Sequence, residues 1–290
     1  MRTELGEEAP GDLFRTNLLD AVYSDAGMFR DNTAFITGVK EGNIVLQLAL
    51  ALLRRGCRVV VQCFGDDEEA LLKGSLKNQT DLVKVIGADY RVIDEAIESA
   101  RTALDELGVI DFFIHGAGLT EYFDRLNETD AEYDAISNIK HRSFRAMLCE
   151  VLIPHMLERS VKERGMAKVV GLTSVHRQYA RHAPDGLMTS DAYADANELV
   201  VRMVKDCTRD YGHKGINFNA IQLGHFANDR LFSSPDELAG KDATLASVPC
   251  RAIGEPQEFV GAVFSLIGPL SDYINGSVLA IDGGFHLTKP

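Results

Sequence analysis

The segment Thr37-Gly38-Val39-Lys40-Glu41-Gly42-Asn43-Ile44 sets two glycines between a β-branched run and an apolar segment with helical spacing. A glycine-bearing turn that opens a helix suits phosphate, because glycine allows close backbone approach and the helix start presents unpaired N–H groups. The chemistry such a turn serves is the holding of a nucleotide's phosphates. A second candidate is Tyr193-Ala194-Asp195-Ala196-Asn197. Residues four apart on a helix share a face, so Asn197 points toward Tyr193. A phenol with its ordinary pKa of roughly 10 gives a proton readily and is a poor base near neutrality.

These groups need elements that bring them to one place. Short β-branched and aromatic runs at Thr33–Thr37, Arg58–Phe64, Leu82–Ile86, Asp111–His115, Lys168–Thr173, Asn217–Gln222 and Ser277–Asp282 are expected to be buried parallel strands. Between them, Asn43–Arg55, Asp67–Lys77, Asp94–Leu107, Asp130–Glu158, Asp191–Tyr211 and Pro256–Leu266 carry helical spacing. Strict β-α alternation predicts an α/β fold: a doubly wound parallel sheet of seven strands with helices on both faces. Such sheets bind ligands at the carboxyl ends of their strands, where the strand order reverses.

The glycine turn, His115-Gly116-Ala117-Gly118 after the fourth run, Leu172-Thr173-Ser174 at the fifth, Tyr193 on the next helix and Ile281-Asp282-Gly283-Gly284 near the end occur in a telling order. From roughly Thr33 to Phe285 they resemble the short-chain dehydrogenase/reductase family, which has a Rossmann-like fold. The resemblance implies NAD(P)H as cofactor, with NADH versus NADPH left open. It places Gly38, Lys40, Gly42 and Ile44 at the pyrophosphate, Ile44 standing where the family has a third glycine. Cys63 and Phe64 fall where relatives carry an acid for NAD or an Arg for NADP, and Asp89 where they contact adenine. Gly116, Ala117, Gly118 and Gly224 belong to the cofactor-lining backbone.

For catalysis, the resemblance makes Ser174 the substrate-orienting hydroxyl, Tyr193 the proton donor and Asn138 the holder of a relay water. Asn197 stands where the family's Tyr-x-x-x-Lys pattern has its lysine. A neighbouring ammonium lowers an acid's pKa by ~1–3 units, so its loss leaves Tyr193 a donor and favours reduction. Lys140, His141, His176 and Arg181 are candidates for a replacement cation. His115, His176, Leu223 and His225 are expected around the substrate. Two other readings stand beside the reductase. One is a non-redox enzyme (cyclase, isomerase, dehydratase or lyase) that uses Ser174 and Tyr193 with a degenerate or reused nucleotide site and no cofactor; the other is a catalytically silent binding protein.

Absence of a linker or low-complexity stretch predicts one domain over residues 31–290, preceded by an N-terminal extension at 1–30 whose Leu13–Phe29 segment suits a helix. An insertion near 175–190 and a covering loop near 225–250 are expected at the substrate mouth. A net charge of −13 disfavours nucleic acid and anionic membrane. The apolar runs are strand length, and Met1–Pro10 is acidic, so a cytoplasmic location follows as the default. Cysteines 57, 63, 149, 207 and 250 have neither paired nor metal-ligand spacing. The expected partners are a small-molecule substrate and further copies of the chain, as a homodimer or homotetramer.

Overall fold

A computed structural model describes residues 28–79, 81–118, 128–159, 164–178, 190–227, 242 and 244–288. Seven strands, β1 (Thr33–Thr37), β2 (Arg58–Cys63), β3 (Val83–Gly87), β4 (Phe112–His115), β5 (Ala167–Ser174), β6 (Ile216–Leu223) and β7 (Val278–Ile281), form one sheet in the order β3-β2-β1-β4-β5-β6-β7. Every pairing is parallel. The expected α/β doubly wound architecture is therefore the one observed, and each strand lies within two residues of its expected bounds. The strand order reverses between β1 and β4, which opens a crevice above their carboxyl ends.

Side chains alternate across the sheet and build two cores. Ile36, Val59, Val61 and Ile114 pack with α1 (Ile44–Leu53), with Leu72 of α2 (Gly65–Ser75) and with α6 (Pro256–Ile267) on one face. Phe35, Val60 and Phe113 pack with α3 (Ile93–Leu107), the long helix α4 (residues 130–158) and α5 (Asp191–Tyr211) on the other. The period of two along a strand produces this division, since neighbouring residues must serve opposite layers.

Helix α4 was expected as one run, Asp130–Glu158. Its α-helical pieces Asp130–Ser137, Ser143–Met147 and Ile153–Glu158 are joined instead by π turns at Asn138–Arg142 and Leu148–Leu152. A π turn adds one residue to the ladder without disturbing the local apolar pattern much, so periodicity does not register it. Helix α2 starts two residues early because Gly65, at φ +71, turns the chain directly after β2. The extension 1–30 lies outside the described residues apart from its last three, of which Phe29 packs edge-on against Phe112 and Phe264. Most of the insertion and of the covering loop lies outside them as well.

Candidate active site

The glycine turn between β1 and α1 is fixed from several sides. Gly38 and Gly42 take left-handed backbone, φ +75 and +73. A Cβ on Gly38 would lie 2.5 Å from Gly116 C and 2.6 Å from Ala117 Cα, so only glycine lets the β1 and β4 loops meet. Gly38 N–H donates to Gln62 Oε1 (3.0 Å), and Gln62 Nε2 donates to the carbonyls of Cys63 (2.7 Å) and Ala88 (2.8 Å). Asn43 caps α1 by accepting from Leu46 N–H (2.9 Å) while its own amide donates to Gly38 O (2.9 Å). Ile44, in the third glycine's place, packs against the apolar cluster beneath the helix.

The adenosine end is unlike the expectation. Cys63 is buried and its thiol is pushed up to about 12 by desolvation, then by Glu69 and Glu68, so it is an inert thiol at neutral pH. Phe64 is 57% exposed, with the Arg91 guanidinium carbon 5.0 Å from its ring centre. The Asp89 carboxylate is gripped by Arg91, with Nη2 at 2.7 Å, and those hydrogen bonds hold its pKa below the usual range. Glu68, from the first turn of α2, reaches the glycine turn and accepts from Glu41 N–H at 2.7 Å. Lys40 Nζ lies 4.0 Å from the other Glu68 oxygen. Sequence reasoning missed Glu68; the signal was the acidic run Asp66–Glu69 directly after β2.

Across the crevice, His115 is fully enclosed rather than open to a substrate, which corrects its expected role. Its Nε2 bonds Lys140 O (2.9 Å) and its Nδ1 bonds Thr37 Oγ1 (2.9 Å). A carbonyl only accepts, so Nε2 carries the proton and the Thr37 hydroxyl donates to Nδ1. Burial, then the nearby Lys140, pushes the imidazole down to about 3, and it is neutral. Asn138, expected to hold a relay water, is turned outward: its Nδ2 donates to Arg91 O (2.9 Å) and its Oδ1 accepts from Arg142 Nη1 (3.0 Å). The Asn138 carbonyl accepts from Ser143 N–H in the π turn.

Two residues on, Lys140 is 7% exposed. Its Nζ is 3.3 Å from where a Cβ on Gly118 would stand, so the missing side chain makes room for the ammonium. Desolvation alone pushes it down to about 8. Among the described residues no carboxylate pairs with it.

Ser174, buried at the end of β5, accepts from His176 N–H (3.2 Å). Tyr193 sits in the first turn of α5, where Ser190 caps the helix by accepting from Tyr193 N–H (3.0 Å). Its half-buried side chain packs beside Ile136, Ala192 and Ala196. Asn197 is 1% exposed; its Nδ2 donates to Tyr193 O (2.8 Å), and its Oδ1 is buried with no donor among the described residues. His176, His225 and Phe285 form an aromatic cluster above β5 and β6, with ring centres 5.4–6.0 Å apart. Leu223, partly buried, packs against the core, and Gly224 is small because a Cβ there would lie 2.6 Å from Asp282 Cα.

The arrangement has the parts of a dinucleotide-dependent site: a preformed glycine turn, a small-residue loop facing it, and hydroxyls on the neighbouring strand and helix. The family described as enoyl-(acyl carrier protein) reductase matches residues 38–286. The chain is 27% identical over 263 residues to 3-oxoacyl-(acyl-carrier-protein) reductase FabG of Vibrio harveyi, covering 88% of this chain and 97% of that protein. It is 28% identical over 258 residues to 2-(R)-hydroxypropyl-CoM dehydrogenase of Xanthobacter autotrophicus, covering 87% and 97%. Its fold matches the crystal structure of a candidate short-chain alcohol dehydrogenase of Sinorhizobium meliloti 1021, with a TM-score of 0.77 at 19% identity over 90% of this chain and 98% of that one. With its seven-stranded order, its glycine turn and this near full-length match, the chain belongs to the short-chain dehydrogenase/reductase family.

Proposed function

We propose that the chain is a nicotinamide-dinucleotide-dependent oxidoreductase that works chiefly in the direction of carbonyl reduction on a small-molecule substrate. The observation that carries this reading is the construction of the glycine turn, pressed on Gly116 and Ala117, clamped by Gln62 and Asn43, and opening a ten-residue helix. Backbone N–H groups held in this way suit a pyrophosphate. The orphaned Asn197 Oδ1 fits the same cofactor, since a buried acceptor without a donor costs about 1–3 kcal/mol and a ribose hydroxyl relieves it. Gly38–Gly42, Gly116–Gly118 and Asn197 would hold the dinucleotide. Bound there, it supplies the two electrons and the hydrogen that a carbonyl carbon takes up.

The chain's own side chains handle the oxygen. Ser174 Oγ donates to the carbonyl and polarises it, and the Tyr193 phenol gives its proton as negative charge grows there. Lys140 brings to this end of the sheet the positive charge that residue 197 lacks. Relatives named for reducing 3-oxoacyl groups and for oxidising a hydroxypropyl group support a ketone-alcohol pair as the substrate class. A homo-oligomer belongs to the same reading: Leu270 and Tyr273, fully exposed before β7, are apolar surface for a second copy to cover.

The test is a titration with NADH and NADPH that follows nicotinamide emission by direct excitation, as the chain has no Trp to transfer energy. Saturable micromolar binding is expected, followed by consumption of the reduced cofactor with a panel of ketones and 3-oxo thioesters. Binding of neither form overturns the reading and leaves the non-redox alternative.

A further inference from the structure

We infer that Glu68, reaching from α2 to the glycine turn, makes this site selective for NADH over NADPH. This rests on the dinucleotide reading and deepens it. In doubly wound folds the cofactor's adenosine ribose lies beside the end of the second strand, where an acid accepts from its hydroxyls or an arginine receives a 2′-phosphate. The end of β2 offers neither, since Gln62 spends its amide on Gly38, Cys63 and Ala88, and Cys63 is a buried neutral thiol.

The acid arrives one turn later. Gly65 turns the chain at φ +71, α2 begins at once, and Glu68 in its first turn accepts from Glu41 N–H at 2.7 Å. A carboxylate on that amide takes a donor that a phosphate would otherwise use, and it offers its remaining lone pairs to ribose hydroxyls.

The surrounding charges act in the same sense. Lys40 lies 4.0 Å from Glu68, Lys73 pairs with Glu69, and Arg91 pairs with Asp89. Each of these three cations is matched by an acid. Among the described residues the Glu41 carboxylate is met by the Ser75 hydroxyl and by no cation. A 2′-phosphate placed here meets two carboxylates at short range in a partly desolvated groove, where like charges repel more strongly than in water.

Equilibrium titration of the purified chain with each reduced cofactor tests this. NADH is expected to bind at least about tenfold more tightly than NADPH, equivalent to about 1.4 kcal/mol. Glu68→Gln keeps an acceptor for Glu41 N–H and removes the charge. It is expected to tighten NADPH about fivefold or more, with NADH changed by less than about threefold. Glu41→Gln, which leaves the Glu68 bond in place, is expected to shift the ratio in the same direction. Equal or tighter NADPH binding by the unmodified chain overturns the inference while leaving the dinucleotide reading standing. So does an unchanged ratio in both variants. Failure of either cofactor to bind overturns both.

Discussion

Asn197 donates its side-chain amide to the carbonyl of Tyr193 at 2.8 Å, so the residue sharing the tyrosine's helix face is folded back on its own helix and brings no charge. Above pH 8 the buried Lys140 is neutral too, so neither residue 197 nor residue 140 supplies a cation there. Asn197→Lys is expected to move the acid limb of kcat/KM for alcohol oxidation, set by ionisation of the phenol, down by about 1–3 pH units. A pH–rate profile on the alcohol form of any accepted substrate reads this directly, and a limb that stays in place contradicts the assignment.

Tyr193→Phe deletes one hydroxyl from a half-buried aromatic and is expected to leave folding and cofactor binding near normal. Reduction falls by about 10²–10⁴-fold, the usual contribution of a general acid. Ser174→Ala is expected to lower kcat in the same way. Steady-state kinetics beside a cofactor titration separates lost chemistry from lost binding.

Lys140 carries an opposite pair of effects on stability and activity. Its folded pKa of about 8 lies below the ordinary 10.5, so between these values the unfolded chain binds the extra proton. The burial penalty is complete below pH 8 and vanishes above 10.5. Lys140→Met is therefore expected to stabilise the fold by at most about 3 kcal/mol near neutrality, with the gain fading across that window, while reduction slows. Urea midpoints at pH 7 and pH 10.5 measure the first effect; turnover at pH 7 measures the second.

His115 gives the fold an acid limit. Its pKa is depressed from 6.5 to about 3, so on acidification the unfolded chain takes up the proton first and stability is lost as pH falls through that interval. Half-buried His141 and His155, also held low by desolvation first, act in the same direction. Replacing His115 with Gln is expected to lower stability at pH 7 and to flatten its slope between pH 6.5 and 5. Chemical denaturation at stepped pH decides the point.

Gly38→Ala needs both a left-handed alanine and space already taken by Gly116 and Ala117. A loss of more than about 1 kcal/mol is expected, together with loss of cofactor binding. The comparison is with Gly74→Ala, where the structure has open space and ordinary backbone, which is expected to leave both unchanged.

Strand and helix periodicity made the architecture readable before any coordinates, because β1 through β7 alternate or saturate with apolar residues as their two-sided burial requires. The glycine turn was readable for a similar reason: Gly38 is demanded by local backbone and by the close approach of Gly116 and Ala117. Other parts of the site were hidden. Glu68 acts through a helix turn placed by the φ of Gly65, and a scan confined to the end of β2 passes it over. His115 looks like a substrate-lining imidazole until Thr37 and Lys140 are seen to use both of its nitrogens. Asn138 and Lys140 are two positions apart, and which of them faces inward depends on a helix irregularity that composition does not announce.

That irregularity makes part of the site's electrostatics a matter of length. An α-helix advances about 100° per residue, so the additional residue in Asn138–Arg142 sets the rotational phase of what surrounds it. Dropping a single codon there would leave amino-acid composition almost untouched yet re-phase the helix and carry the ammonium off Gly118. Small deletions in that segment are then a greater hazard to the chemistry than most substitutions at its surface.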